Sequence, residues 1–391
     1  MIISVFVPTQ KLTVLKNKMK TVLDYNSISS NILSIFYPLF DNSENINRNN
    51  YDIIICTRDN IQDEFEEISK FVNNNTKIIV DLVTESGCLD DFIRIFELIS
   101  KTYNNLNFYL LIDGRFNHKF GDNVHVLSSP ILSFLAFFEN FFQENHNQQY
   151  TIDNFDIYKK ENGVTSLNGR LRMHRILLLL EFYKRNILFD KDNDISFLFY
   201  TSDKFNNEFY LDYLNEMLGR GEISSEEYDI LLDTTNHLPI SVNGESGNIP
   251  STVLYGSSFK KIINLVTENT VGLECGEAEF NTITFTEKAW IPFRIHQIPI
   301  YISQLGYVNE LRLLGFDLFD DIVDHSYDNE LDPFKRIILA VDEMDKLRNS
   351  DLLDFYNKNY LRFVKNNIQC QILKGEAFSI LSEFILKNEL I

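Results

Sequence analysis

Short, continuous apolar runs separated by helical stripes constrain this chain more than any other feature. Ile2-Ile3-Ser4-Val5-Phe6-Val7, Asp52-Ile53-Ile54-Ile55-Cys56, Lys77-Ile78-Ile79-Val80-Asp81 and Phe108-Tyr109-Leu110-Leu111-Ile112-Asp113 all lie in the first 150 residues. Runs of this length without polar alternation suit strands buried on both faces. Between them, Phe92, Ile95, Phe96 and Ile99 recur at i, i+3, i+4 and i+7, and Ile131, Phe134, Leu135 and Phe138 repeat the pattern. That spacing predicts helices with one apolar stripe. Strand–helix alternation predicts a parallel sheet covered by helices.

A polar stretch from Asn145 to Asn162 reads as a linker. Beyond it, Val164-Thr165-Ser166-Leu167 leads through Asn168-Gly169-Arg170 into a strongly apolar helix. Ile176 to Leu180 is apolar all round, which predicts deep burial. Ile195–Tyr200, Ile262–Val266 and Ile298–Ile302 read as further strands. Asp332-Pro333 reads as a helix start, with Asp as N-cap and Pro at the first helical position. The expected architecture is α/β: two Rossmann-like domains facing a cleft, with a helical C-terminal tail. The expected boundaries are 1–150, a linker at 151–163, a second domain at 164–345 and C-terminal helices at 346–391. Ligands of such folds sit beyond the carboxyl ends of strands, beside helix N-termini.

Composition narrows the function classes. With 36 basic and 56 acidic residues the net charge is −20. That charge opposes non-specific binding to phosphate backbones and anionic lipid, so nucleic acid is not an expected partner. No run reaches the ~18 apolar residues of a membrane span, and the N-terminus lacks the basic and apolar regions of a secretory signal. The four cysteines (Cys56, Cys88, Cys275 and Cys370) are widely spaced, as expected of reduced thiols in a cytoplasm-like compartment. The expectation is a cytoplasmic, non-secreted chain.

Two clusters stand out. Val266-Thr267-Glu268-Asn269 is a strand end rich in polar groups, and Thr286-Glu287-Lys288 starts a helix with Thr286 as N-cap. A helix N-terminus favours anions, and a lysine in its first turn opposes the dipole unless an anion sits there. Glu287 has the chemistry to accept two hydrogen bonds from a ribose diol, and Lys288 to pair with a diphosphate. Pro292 removes a backbone hydrogen bond from this helix and predicts a kink. The second cluster, Ser166-Leu167-Asn168-Gly169-Arg170-Leu171-Arg172-Met173-His174-Arg175, places three arginines and a histidine within six residues at a strand-to-helix turn. Guanidinium groups there suit bidentate phosphate contacts. On spacing alone an ordinary capped helix with solvent-facing charges is the favoured account of the first cluster, and a solvated basic patch or salt bridges to the acidic remainder that of the second.

Weaker candidates are Asp81, Glu85 and Asp113, at or after predicted strand ends where a general base often lies, although helix capping or a solvated loop is the favoured reading of each. Asp320-Asp321 and Asp324-His325 read as a metal site or, preferably, as a solvated acidic loop. Asp190-Lys191-Asp192-Asn193-Asp194 opens like a calcium loop but has Ile195 at the sixth position and Thr201 at the twelfth, which rejects an EF-hand. Fingerprints for dinucleotides, P-loops, α/β-hydrolases and zincins are absent from the sequence.

The run Val266-Thr267-Glu268-Asn269, then Phe285-Thr286-Glu287-Lys288-Ala289-Trp290, then Ile298-Pro299-Ile300-Tyr301 resembles the donor-binding half of α1,3-fucosyltransferases. The chain is also similar to a set of phage and large-virus proteins across about residues 164 to 345. The matching stretches there are Leu167–Arg175, Thr286–Pro292 and Leu314–Asp321. The resemblance implies a GT-B glycosyltransferase with the acceptor side first and the nucleotide-sugar side second. It implies that Glu287 contacts the ribose, Lys288 the phosphates, and Arg175 or Arg172 the diphosphate. Glu268, with Asn269 beside it, would lie near the sugar or nucleotide. The base would be a first-domain carboxylate, placed at Glu85. Where that family carries a small residue and Gly, this chain has Arg294-Ile295-His296-Gln297.

The expected function is transfer of a sugar from a nucleotide-diphosphate donor to a glycan or other hydroxyl acceptor, with no metal and no resident cofactor. Two alternatives stand beside it. One is a non-catalytic binding or virion protein on a degenerate fold. The other is a phage DNA-modifying glycosyltransferase, which the net charge disfavours.

Overall fold

The computed structural model describes residues 22–24, 53–56, 65–69, 72, 74–82, 90–113, 116, 118–132, 159–200, 206–240, 260–268, 271, 283–388 and 390. The chain divides into two compact units. The first comprises Met1–Asn140, Glu277–Thr286 and Gln371–Ile391; the second comprises Phe141–Gly276 and Glu287–Cys370.

In the first unit, five strands pair in parallel in chain order: β1 (Val22–Asp24), β2 (Ile53–Cys56), β3 (Lys77–Asp81), β4 (Asn107–Asp113) and β5 (Val124–Ser129). Ile78, Ile79 and Val80 of β3 and Phe108–Ile112 of β4 are buried throughout. Continuous apolar runs there cover both faces of the sheet, as expected. Helix α1 (Asp90–Thr102) stacks Phe92 on Phe96 at 5.4 Å, and Phe96 meets Phe108 edge-on at 5.4 Å. The expected stripe shifts by one position. Ile93 is buried while Ile95 is 38% exposed, because the sheet-facing arc centres on the Phe92–Phe96 row. The expected strand at residues 2–7 lies outside the described residues, as does most of the expected helix at 131–138; Ile131 and Leu132 form a turn.

The second unit carries a four-stranded parallel sheet in the order β7-β6-β8-β9. Its strands are β6 (Glu161–Arg170), β7 (Asp194–Tyr200), β8 (Lys261–Thr267) and β9 (Ile298–Ile302). β6 therefore starts inside the stretch expected to be linker. The Glu161 N–H donates to the Lys260 carbonyl, and Gly163 adopts φ +126°, so backbone pairing rather than apolar side chains begins this strand. Pro299 lies on β9, at the end of the strand order, where a missing N–H is tolerated.

Helix α2 (Met173–Lys184) follows β6, and its Ile176–Leu180 run is buried on every side, as expected. Helices α3 (Asn207–Gly219) and α4 (Ser225–Thr234) fill the return to β8. The Ser224–Glu227 capping box of α4 is readable in the sequence as Ser-x-x-Glu. Helices α5 (Glu287–Arg294), α6 (Tyr307–Leu313), α7 (Pro333–Arg348) and α8 (Leu352–Lys387) follow. Asp332 caps α7, accepting from the Phe334 N–H at 2.9 Å with Pro333 next in line. The expected separate C-terminal helices are not separate: residues up to Cys370 of α8 count with the second unit and those from Gln371 with the first. Phe384 packs edge-on against Tyr109 at 6.2 Å, and Leu381, Ile385 and Leu390 are buried.

Candidate functional site

The chain leaves β6 in one direction to reach β7 and returns across β6 to form β8. This reversal makes the carboxyl ends of β6 and β8 a topological switch point. At such a point flanking connections diverge, and the crevice this creates is where open α/β sheets bind ligands. β6 ends at Arg170 and runs through Leu171 and Arg172 into α2; β8 ends at Thr267 and Glu268 follows.

Both basic and acidic candidates gather around this point. Arg172 is the N-cap residue of α2, in extended backbone, and makes no side-chain cap hydrogen bond; the first turn of α2 holds no acidic residue. His174 is fully buried. Burial, with Arg175, Arg172 and Lys288 close enough to act in the same direction, drives its pKa well below the ordinary value, against the opposing effect of a hydrogen bond donated to the Glu268 backbone carbonyl. The imidazole is therefore neutral. Three cations from two separate elements, the β6–α2 turn and the first turn of α5, thus share one neighbourhood.

Arg175 differs from its neighbours. Its guanidinium is buried, donating to the Arg170 carbonyl at 2.9 Å and to the Thr267 carbonyl at 3.5 Å. It braces the ends of β6 and β8 together. Thr267 strengthens the same junction by donating from its hydroxyl to Asn168 Oδ1 at 2.8 Å. Glu268 is buried, with its N–H bonded to the Ile302 carbonyl and its Oε1 accepting from the Tyr307 hydroxyl at 2.5 Å. A charge-assisted bond of this kind holds a carboxylate in one orientation. Tyr307 follows Gly306, whose φ of +78° starts α6 in a left-handed turn. Asn168 falls within the Leu167–Arg175 stretch that the sequence marks, whereas Tyr307 does not stand out: its partner Glu268 is far along the chain, so no local spacing marks it.

Helix α5 begins at Glu287, with buried Thr286 directly before it, as expected. Lys288 is half-buried. Pro292 lies inside, and the helix ends two residues later. The Gln297 N–H closes onto the Pro292 carbonyl at 2.8 Å, with His296 at φ +56°. This is the closure in which glycine usually takes the left-handed position. Here His296 takes it, buried against Tyr360 with ring centroids 5.6 Å apart. Arg294 donates to Asn367 Oδ1 at 2.7 Å. The departure at Arg294–Gln297 is thus absorbed by packing against α8.

Glu85 and Asn269 lie outside the described residues, and of Glu287, Asp81 and Asp113 the backbone alone is described. The acidic loop is structural. Asp320 pairs with Arg312, Asp321 with Arg362, and Asp324 caps the turn at Ser326. His325 is buried between the Tyr327 hydroxyl and the Leu318 carbonyl. Among the described residues no group of three or more His, Cys, Asp or Glu is placed to hold a metal ion. No helix among them is long and apolar enough to cross a membrane.

No protein-family model, curated protein or solved structure matches the chain.

Proposed function

We propose that the crevice at the β6–β8 switch point binds the diphosphate of a nucleotide sugar, and that the protein is a glycosyltransferase of GT-B type. The observation that carries this reading is the convergence of Arg172, Arg175 and Lys288 around buried His174 at the carboxyl ends of two parallel strands. A diphosphate carries charge opposite to these three cations, and its leaving is favoured by them without a metal. Arg175 fixes the floor of the site, while Arg172 and Lys288 meet the phosphates. Glu268, oriented by Tyr307, accepts from a donor hydroxyl, and Glu287 from the ribose. A carboxylate of the first unit, assigned to Glu85, removes the acceptor proton.

A second reading, a binding protein without turnover, is favoured by one feature: both terminal nitrogens of Arg175 donate to backbone carbonyls.

The test is a thermal-shift panel of UDP, GDP, CDP, ADP and dTDP against wild type, Lys288→Ala and Arg172→Ala. A nucleotide at 100 times its dissociation constant stabilises by about 2.7 kcal/mol. One nucleotide is expected to stabilise wild type and to lose most of that shift in both variants. No shift with any nucleotide, or equal shifts in all three proteins, overturns the proposal. Release of free nucleoside diphosphate from the matching sugar donor separates transfer or hydrolysis from binding alone.

A further inference from the structure

Helix α2, the turn between α3 and α4, and the start of α7 bound a cavity of about 340 Å³ that lies wholly within the second unit. None of its lining residues belongs to the switch-point site. Its volume falls among those of small-molecule sites, about 300–1,000 Å³. The walls are mostly apolar, with Leu177 and Leu180 of α2, Ile223 ahead of α4, and Ile337 and Ile338 of α7. Four carboxylate side chains also line it, and no basic one does.

Three of those carboxylates are already engaged. Glu181 pairs with Lys184 at 3.3 Å and with Arg185. Glu227 pairs with Lys184 at 2.5 Å and accepts from the Ser224 N–H at 2.8 Å. Asp332 caps α7. Glu222 differs: its Oε2 is buried with no hydrogen-bond partner, and its Oε1 lies 3.8 Å from exposed Arg220. Burial pushes its pKa up.

The backbone fixes Glu222 in this place. Gly221 takes φ +71°, its N–H donates to the Leu218 carbonyl at 3.0 Å, and the Glu222 N–H donates to the Met217 carbonyl at 2.9 Å. Such a helix closure usually puts an apolar side chain where Glu222 stands, packed back on the helix. Here a carboxylate stands there, at the helix end where negative charge is unfavourable. An ammonium group would answer both features, donating to Oε2 and bringing positive charge to the C-terminus of α3. The apolar walls would take the hydrocarbon attached to it.

We infer that this cavity binds a primary alkylammonium, its charged head on Glu222 and its hydrocarbon chain along Leu177, Leu180 and Ile337. The inference does not depend on the proposed activity.

The test is a ligand-observed NMR titration of the full chain with n-hexylammonium, n-hexanol and hexanoate. About 0.15 M salt screens diffuse attraction to the acidic surface. Wild type is expected to bind hexylammonium about tenfold or more tightly than hexanol, and hexanoate least. Glu222→Gln keeps the shape of the side chain and is expected to cost hexylammonium about tenfold in affinity while leaving hexanol within about twofold. Glu222→Leu, which restores the usual apolar residue of this closure, is expected to remove the preference for ammonium over alcohol altogether. Hexylammonium binding no tighter than hexanol in wild type overturns the inference. So does a preference that survives in either variant, since one carboxylate among 56 acidic residues barely alters diffuse attraction.

Discussion

Lys160 shows how strongly one side chain is governed by its surroundings. It stands just before β6, fully buried, donating to the Ile295 carbonyl at 2.7 Å and lying 6.0 Å over the Tyr356 ring. Burial pulls its pKa down to about 7. An unfolded lysine titrates near about 10.4, so between those values the unfolded chain binds the extra proton. Stability therefore rises with pH across that window, and below it the full cost of a buried ammonium is present. Lys160→Met is expected to flatten the rise, read as a stability difference between variant and wild type that shrinks from pH 7 to pH 10. A difference independent of pH would show that the amine is not desolvated. In the sequence Lys160 is one of two adjacent lysines in a polar run, and nothing local distinguishes it from solvated Lys159. The cations at Arg172, Arg175 and Lys288 were legible because they cluster where cations are unfavourable. The division of labour among them was not, since it depends on which carbonyls lie within reach of Arg175.

Elements were legible wherever one kind of signal dominated. β9 and β3 match their apolar runs, and α7 starts at its Asp-Pro signature. β5 was missed because His125, Ser128 and Ser129 dilute its apolar character. β6 was started late for a related reason: its first turn of pairing is carried by backbone geometry. At Gly163 a Cβ would stand 2.1 Å from the Asp192 carbonyl oxygen, and φ is +126°. The β6–β8 register shifts between Glu161 and Val164, and the Val164 N–H turns to Asn193 Oδ1 at 3.0 Å. Gly163→Ala is expected to destabilise the second unit by roughly 1–3 kcal/mol, from backbone strain and overpacking. The midpoint of urea unfolding checks this. An unchanged midpoint would mean that the strand entry relaxes freely.

At the scale of the molecule, parallel sheets in both halves were foreseen. The path of the chain between units was not, since no composition shift marks where a helix passes from one to the other. The first unit draws on residues from Gln371 onward. Tyr109 packs on Phe384, and Lys77 Nζ donates to the Asn388 carbonyl. Ending the chain after Cys370 is expected to leave the second unit folded and the first open, seen as rapid limited proteolysis confined to residues 1–140. Equal resistance of both units would show that these late contacts contribute nothing.

The same threading sets an order of assembly on the ribosome. The strands of the first sheet emerge first, but residues 371–391, which cover part of it, are polymerised only after the whole second unit. Domains usually fold in the order they are made. In this chain the earlier half waits for the later one, with exposed apolar surface during the interval. A holdase chaperone that binds such surface would therefore meet the nascent first unit for most of the time taken to translate residues 141–370.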